Sequence, residues 1–201
     1  MDLPDGAELW DGPIRDEVDP RPVVSTVKRF RGRVIGLRTD HVDFGSQVVQ
    51  RDVVEHPGAV GVLALDDDGR VLLLRQYRHP VGAYLWEPPA GLKDVTGEDP
   101  LVTAQRELLE EGGYIAERWE RLVSFYNSPG GMDEHLTLYL AQGLRPAARV
   151  HTGEAEEASM PLAWVPLHEA VDLVLSGMIE NPTAVVGILA AAARLLPTSG
   201  L

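Results

Sequence analysis

The chain has 201 residues, 44% of them hydrophobic and 24% charged, which is the balance of a globular protein with room for one core. Its net charge of −13 argues against nucleic acid as a partner, because phosphate backbones bind to basic faces. The absence of cysteine excludes disulfides, thiolate metal sites and thiol nucleophiles. No apolar run reaches the roughly 20 residues that cross a bilayer, and the acidic N-terminal stretch predicts a cytoplasmic protein without a membrane partner.

The N-terminal third is rich in β-forming residues. Residues 1–20 contain Pro, Gly and Asp without periodicity and are predicted to form a loose arm. Residues 23–55 contain three β-rich runs, and Gly45-Ser46 is predicted to turn the second run into the third. Residues 61–78 are predicted to form a second hairpin around an Asp-Asp-Gly turn.

The middle of the chain has one strong helix signal. The segment 84–92 is predicted to be a loop, because two consecutive prolines exclude a helix and a central strand. Asp99-Pro100 then opens a helix, with aspartate at the cap and proline at the first helical position. Gly112-Gly113 is predicted to end this helix.

The C-terminal part alternates between strands and helices. Strand-like segments occur at 121–127, 135–141 and 162–166, and helices are predicted at 167–176 and 182–196. The order of strands, helix, strands and helices indicates an α+β fold in which helices pack against a central sheet. The early β-rich runs are expected to form a small sheet of their own.

Three acids on the predicted central helix indicate a metal site. Glu107 and Glu111 are four residues apart and therefore point in the same direction, with Glu110 close by. Like charges at this spacing destabilise a helix, but a hard divalent cation reverses the effect, because magnesium takes carboxylate oxygens. An acidic protein that binds phosphorylated substrates also needs cations between its carboxylates and the phosphate oxygens. A solvated acidic helix face is the alternative interpretation, and the surrounding residues decide between the two.

The segment from Gly91 to Tyr114 resembles the Nudix box. That pattern is a glycine, five residues, a glutamate, seven residues, then Arg-Glu-aliphatic-x-Glu-Glu-x-Gly-aliphatic. The chain fits it from Glu98 onward except for Tyr114, and six residues instead of five separate Gly91 from Glu98. The resemblance implies a Nudix α/β/α sandwich with a mixed central sheet over residues 56–201. Residues 1–55 are then expected to be an N-terminal arm and a small antiparallel β extension that mediates dimerisation.

The resemblance also implies a Mg²⁺ cofactor, with Mn²⁺ as an alternative. The implied ligands are all oxygen donors, four carboxylates and one backbone carbonyl: Glu107, Glu110, Glu111, Glu157 and Ala90. Glu98 is expected to pair with Arg106 and not to bind metal. Glu111 and Glu157 are the candidate catalytic residues. Glu157 lies in an acidic loop before the 162–166 strand. This place resembles the loop after the box from which the ADP-ribose pyrophosphatase group of the family supplies the carboxylate that orients water, and Glu156 is the second choice.

Three further features resemble the ADP-ribose pyrophosphatase group of this family. Pro129 lies sixteen residues after Gly113, and a β-rich extension precedes the fold. Residues 75–91 resemble a stretch of that group with the pattern Gln-Tyr/Phe-Arg followed by Trp-Glu-x-Pro-Ala-Gly. The resemblance implies metal-dependent hydrolysis of ADP-ribose to AMP and ribose 5-phosphate by a homodimer whose subunits complete each other's sites. The alternatives are another nucleoside diphosphate derivative as substrate, such as a sugar nucleotide or dinucleoside polyphosphate, a non-catalytic ADP-ribose sensor, and a plain acidic binding module.

Five residues are candidates for substrate binding. Arg78 can bind phosphate through its planar fork of donors. Glu87 can accept hydrogen bonds from a ribose hydroxyl, and Glu134 can contact the sugar. Ser128 opens a glycine-containing turn whose backbone can approach a ligand closely. Arg51 is a candidate contact across the dimer. A surface charge is the alternative interpretation for both Arg51 and Glu134.

Overall fold

The N-terminal extension folds as a separate antiparallel sheet. The computed structural model describes residues 9–148 and 160–195. Gly45 lies in the turn between the second and third strands with φ of 80°, a left-handed conformation that glycine adopts without strain. The predicted small sheet and its turn are therefore confirmed. Its strands follow the order of the chain: β1 (Val23–Arg31), β2 (Gly36–Asp43) and β3 (Val48–Glu55).

The rest of the chain forms two further sheets. One has four strands in the order β7-β4-β9-β8 and the other has three in the order β10-β5-β6. The pairing of β4 with β9 is parallel and the others are antiparallel, so the sheet is mixed as predicted. The strands are β4 (Ala59–Ala64), β5 (Arg70–Arg78), β6 (Ala83–Glu87), β7 (Ala90–Leu92), β8 (Tyr114–Tyr126), β9 (His135–Pro146) and β10 (Leu162–Pro166).

The hairpin predicted over residues 61–78 is wrong in its pairing. The turn exists, with the Asp66 backbone N–H donating to the carbonyl of Arg70 at 3.0 Å. However, β4 and β5 diverge after one isolated bridge between Leu65 and Val71 and enter different sheets. Each of these strands is apolar on both faces and has strand neighbours on both edges, so neither edge is left for a hairpin partner.

The loop predicted over residues 84–92 is also wrong. The chain forms β6 and β7 there, and only the two prolines interrupt them. Pro88 and Pro89 fall in the gap between the strands, where no ladder N–H is needed. The carbonyl of Pro89 even accepts a hydrogen bond from the backbone N–H of Val62 at 2.8 Å.

The helix over residues 100–112, called the box helix below, begins and ends where the sequence predicts. It starts as α1 (Pro100–Glu107), and the Asp99 side chain caps it by accepting a hydrogen bond from the backbone N–H of Leu101 at 2.9 Å. It continues as a π-helical turn over Leu108–Gly112, which the sequence did not predict. Gly113 ends it in a left-handed conformation with φ of 74°.

Helices cover both faces of the central strands. Side chains of β4 alternate, so that Val62 packs with Leu108 on the side of α1, and Leu63 packs with Ile188 on the opposite side. The helices on this opposite side are α2 (Leu167–Leu175) and α3 (Pro182–Leu195). The predicted α/β/α sandwich is therefore confirmed. Among the helices of the described residues, none has the length and apolar character needed to cross a membrane.

Candidate active site

The acids of the box helix meet the short strand β7. One carboxylate oxygen of Glu111, Oε2, accepts a hydrogen bond from the backbone N–H of Ala90 at 2.8 Å. Glu107 is largely buried, and a Cβ atom on Gly91 would collide with its carboxylate. Glycine at this position therefore leaves the Glu107 carboxylate the place that it occupies against the strand. Both carboxylates reach the same strand, as their spacing on the helix predicts.

Arg106 connects the acids with the start of the helix. Its Nη1 lies 2.8 Å from Glu107 Oε1 and 4.0 Å from Glu110 Oε2, and its Nη2 lies 3.2 Å from Glu98 Oε2. The expected pairing of Glu98 with Arg106 is therefore present. The hydroxyl of Thr103, which donates to Glu98 at 2.7 Å, and the Arg106 guanidinium hold the pKa of Glu98 below its usual value.

The oxygen donors at this helix fit a hard divalent cation. Within residues 9–148 and 160–195, no three Asp, Glu or His side chains converge closely enough to hold an ion by themselves. Magnesium does not need such a cage, because it keeps several waters and usually takes only one or two carboxylates together with substrate phosphates. Glu107, Glu110, Glu111 and the backbone of Ala90 offer only oxygen atoms as ligands, which is the chemistry that this cation prefers.

Arg78 and Glu87 form a bidentate ion pair. Arg78 Nε donates to Glu87 Oε1 at 2.8 Å, and Arg78 Nη2 donates to Oε2 at 2.6 Å. Glu87 is almost fully buried, whereas the side chain of Arg78 is partly exposed. A buried carboxylate thus orients a partly exposed guanidinium, the group that recognises phosphate through a planar fork of donors.

A cavity of about 390 Å³ joins these features. Arg78, Glu87, Ala90 and Glu134, all predicted as site residues, contribute to its lining. Glu134 Oε2 accepts a hydrogen bond from the side-chain amide of Asn127 at 2.9 Å. The cavity therefore extends from the strand that the box acids contact to the Arg78–Glu87 pair.

Several lining residues were not predicted from the sequence. His56 lies beside Glu134, and its Nδ1 accepts a hydrogen bond from the backbone N–H of Gly58 at 3.1 Å. Asn181 caps α3 by accepting from the backbone N–H of Ala184 at 3.0 Å. The Asn-Pro pair at 181–182 is a typical helix start and could have been recognised as such. Nothing in the local sequence indicates that these residues approach β7.

Of the predicted site residues that the structure describes, five are outside this cavity lining: Glu107, Glu110 and Glu111 of the box helix, and Ser128 and Arg51. The carbonyl of Ser128 accepts a hydrogen bond from the backbone N–H of Met132 at 2.9 Å, within its turn. Arg51 lies on β3, where its guanidinium carbon is 5.6 Å from the centre of the Phe44 ring. Neither residue lines the cavity. Glu157 lies outside the described residues.

Comparisons with known proteins agree with this geometry. An ADP-ribose pyrophosphatase of Mycobacterium tuberculosis is 46% identical over 168 residues, which cover 83% of this chain and 81% of that protein. A methanol dehydrogenase activator of Bacillus methanolicus is 39% identical over 166 residues, covering 82% of this chain and 89% of that protein. The solved structure of an ADP compounds hydrolase superposes with a TM-score of 0.75 at 22% identity, covering 90% of this chain and 97% of the other, and so shares the fold.

The family follows from the sequence match and from the box helix together. The family model described as the NUDIX domain matches residues 55–183, which is more than half of the chain. That range contains β4 to β10, the box helix and the whole of α2. It also contains the cavity next to the box acids. This chain therefore belongs to the Nudix family.

Proposed function

We propose that this chain is a cytoplasmic, Mg²⁺-dependent enzyme that hydrolyses the pyrophosphate bond of ADP-ribose to AMP and ribose 5-phosphate. The observation that carries the proposal is the cavity that links Ala90, which is hydrogen-bonded to the box helix, with the Arg78–Glu87 pair. This arrangement suits an anionic substrate that must contact a cation and a guanidinium at once. The name of the 46% identical relative supports ADP-ribose as that substrate.

The carboxylates of Glu107, Glu110 and Glu111 and the carbonyl of Ala90 would hold Mg²⁺, or Mn²⁺ in its place. The bound ion supplies neutralisation of the phosphate oxygens, which otherwise repel an incoming water. Arg106 orients the Glu107 carboxylate from 2.8 Å. The backbone N–H of Ala90 orients Glu111 in the same way. These contacts prepare the ligand oxygens before substrate arrives.

Arg78 is proposed to bind a phosphate of the substrate, with Glu87 holding the guanidinium in place. A carboxylate has about four lone-pair sites, so Glu87 can also accept a hydrogen bond from a ribose hydroxyl. Glu134, supported by Asn127, is proposed to contact the sugar from the other side of the cavity. The backbone at Ser128 remains a proposed contact of the same kind.

Glu157 is proposed to orient the attacking water as a general base. Two arguments support this assignment. Members of the ADP-ribose pyrophosphatase group that this chain resembles use a carboxylate from a loop after the box, and the acidic loop of this chain precedes β10 in the same way. The Glu107 carboxylate is also already engaged by Arg106 and assigned to the metal, so a separate carboxylate is needed to orient water.

Residues 1–55 are proposed to form an arm and a dimerisation extension, and residues 56–201 the hydrolase domain. Every residue of β1 is exposed, including four apolar side chains that a second subunit would cover: Val23, Val24, Val27 and Phe30. In a dimer built through this sheet, Arg51 of β3 is proposed to reach the substrate of the other subunit. The proposed assembly is a two-fold homodimer.

Two other functions would use the same fold. The chain would act on a different nucleoside diphosphate derivative if the cavity preferred another sugar. It would be a non-catalytic sensor if it bound ADP-ribose without cleaving it, although every acid of the box is present. A panel of sugar nucleotides and dinucleoside polyphosphates distinguishes the first alternative, and the release of product distinguishes the second.

The test measures, by chromatography, the release of AMP from ADP-ribose in the presence of Mg²⁺. Wild-type protein should give AMP and ribose 5-phosphate, and Glu111→Gln should lower kcat by orders of magnitude, because a lost ligand removes transition-state charge stabilisation. Glu120→Gln is the control, since that exposed carboxylate pairs only with Arg194 among the ion pairs described. Near-normal turnover of Glu111→Gln at saturating Mg²⁺ would contradict the metal assignment.

A further inference from the structure

We propose that Thr103 is a positioning residue for the metal-binding carboxylates, acting through Glu98 and Arg106. Its hydroxyl fixes Glu98, and Glu98 in turn fixes the guanidinium that holds Glu107. The inference rests on the proposed function, because it takes Glu107 to be a metal ligand. It adds a residue from the middle of the helix to the machinery of the site.

Thr103 occupies a position where threonine has a local cost. Its side chain is 1% exposed, and it lies within α1, where a β-branched residue is less favourable than alanine by about 0.5 kcal/mol. A buried hydroxyl also needs a hydrogen-bond partner. Threonine in a helix commonly bonds back to a carbonyl of the preceding turn, but here Oγ1 donates to the carboxylate of Glu98 at 2.7 Å.

Thr103 holds Glu98 more closely than Arg106 does. Both side chains donate to the same oxygen, Glu98 Oε2, with 2.7 Å from the hydroxyl and 3.2 Å from the guanidinium. Glu98 precedes the helix, so no helical hydrogen bond fixes its backbone. Loss of the hydroxyl would therefore remove one of the two donors that hold this oxygen and, through it, loosen one arm of Arg106.

The other arm of Arg106 reaches the proposed ligands. Nη1 lies 2.8 Å from Glu107 and 4.0 Å from Glu110. If Glu98 moved away, the guanidinium would be shared by these two carboxylates alone and would shift toward them. Its positive charge would then compete with a cation for the same oxygens. Thr103 thus sets how strongly Arg106 competes with the metal.

The test is direct binding of Mn²⁺ without substrate, measured from the free-ion signal in electron paramagnetic resonance. Thr103→Val keeps the shape of the side chain and removes the hydroxyl. It should raise the Kd for Mn²⁺ by about tenfold, the lower end of the effect seen when a residue that orients a metal ligand is replaced. Thr103→Ser should restore binding. Thr103→Ala, which favours the helix, should weaken it as Thr103→Val does. The control is Thr137→Val on β9, since that buried hydroxyl accepts only from Ser124 in the described structure and should leave the Kd unchanged.

A second measurement separates the route through Glu98 from a general loss of packing. In a Glu98→Ala background, Thr103→Val should change the Mn²⁺ Kd less than about twofold, because the partner of the hydroxyl is already absent. In the wild-type background, Thr103→Val should lower kcat with little change in the KM for ADP-ribose. Thermal melting of each variant verifies that the protein is folded.

The outcomes distinguish this inference from the proposed function. Wild-type protein that binds Mn²⁺, together with a Thr103→Val variant of equal affinity, overturns the positioning role alone. A tenfold loss that persists in the Glu98→Ala background overturns the route through Glu98. Wild-type protein that does not bind Mn²⁺ overturns the metal site and this inference together.

Discussion

At the scale of single residues, the Arg78–Glu87 pair changes how each side chain is understood. Separate roles were predicted for the two, a phosphate contact and a ribose contact. Both oxygens of Glu87 accept hydrogen bonds from Arg78, although Arg78 ends β5 and Glu87 ends β6. Because the carboxylate is buried and the guanidinium is not, the first effect of Glu87 is to orient Arg78.

Glu87→Gln should raise the KM for ADP-ribose by roughly five- to thirtyfold with a smaller change in kcat, because it removes one charge-assisted hydrogen bond that orients Arg78. Arg78→Lys should act in the same direction, since lysine cannot form the bidentate pair. Steady-state kinetics of both variants, with Glu120→Gln as the exposed control, gives the comparison. An unchanged KM in both variants would mean that the pair only stabilises the sheet.

At the scale of elements, the site depends on one close approach. The Glu107 carboxylate lies where a Cβ on residue 91 would be, and the backbone N–H of Ala90 donates a hydrogen bond to Glu111. The π-helical turn over Leu108–Gly112 carries Glu110 and Glu111, at the point where the helix reaches this strand. Such single turns often occur at functional sites. The strand and helix thus form one unit that presents the carboxylates.

The acidic loop before β10 should supply the remaining catalytic element. Glu157→Gln should lower kcat with little change in the ADP-ribose KM, because loss of a water-orienting carboxylate is felt in the transition state and not in substrate binding. Glu156→Gln should have a much smaller effect. Kinetics across a pH series should show loss of the acidic limb only in the Glu157 variant. Equal, mild effects of both changes would leave the loop with a closing role and the base elsewhere.

At the scale of the whole molecule, charge and exposed apolar surface favour self-association through the extension. Residues 23–55 carry six basic and four acidic side chains, although the chain as a whole has a net charge of −13. The excess of basic side chains means that the acidic remainder of a second subunit would attract the extension. Its strand β1 is exposed along its whole length, and a three-stranded sheet buries little area by itself.

Light scattering at micromolar concentration should give the mass of a dimer. Phe30→Asp should shift the protein toward the monomer, because Phe30 is 59% exposed on β1 and a charge there would be buried in the interface. Leu175→Asp is the matched control, since Leu175 is an apolar residue at the end of α2 that is even more exposed, at 71%. A wild-type monomer with full activity would contradict the dimer, and a dimer that survives Phe30→Asp would locate its interface away from this side chain.

The sequence by itself determined the features that depend on neighbours along the chain. The cap at Asp99, the helix end at Gly113 and the turn at Gly45 are each encoded within a few residues, because backbone conformation and capping are local. The common direction of Glu107 and Glu111 follows in the same way from the helical repeat. The family match over residues 55–183 agrees with the resemblance of the segment from Gly91 to Tyr114 to the Nudix box.

Only the tertiary structure decided which strands pair and which side chains meet. β4 and β5 are adjacent in sequence but belong to different sheets, because β4 pairs with β7 and β9 whereas β5 pairs with β6 and β10. The bonds from Ala90 to Glu111 and from Arg78 to Glu87 span residues that no local pattern relates. The same is true of His56 and Asn181, which line one cavity. Long-range packing selects contacts of this kind, and local sequence patterns do not predict them.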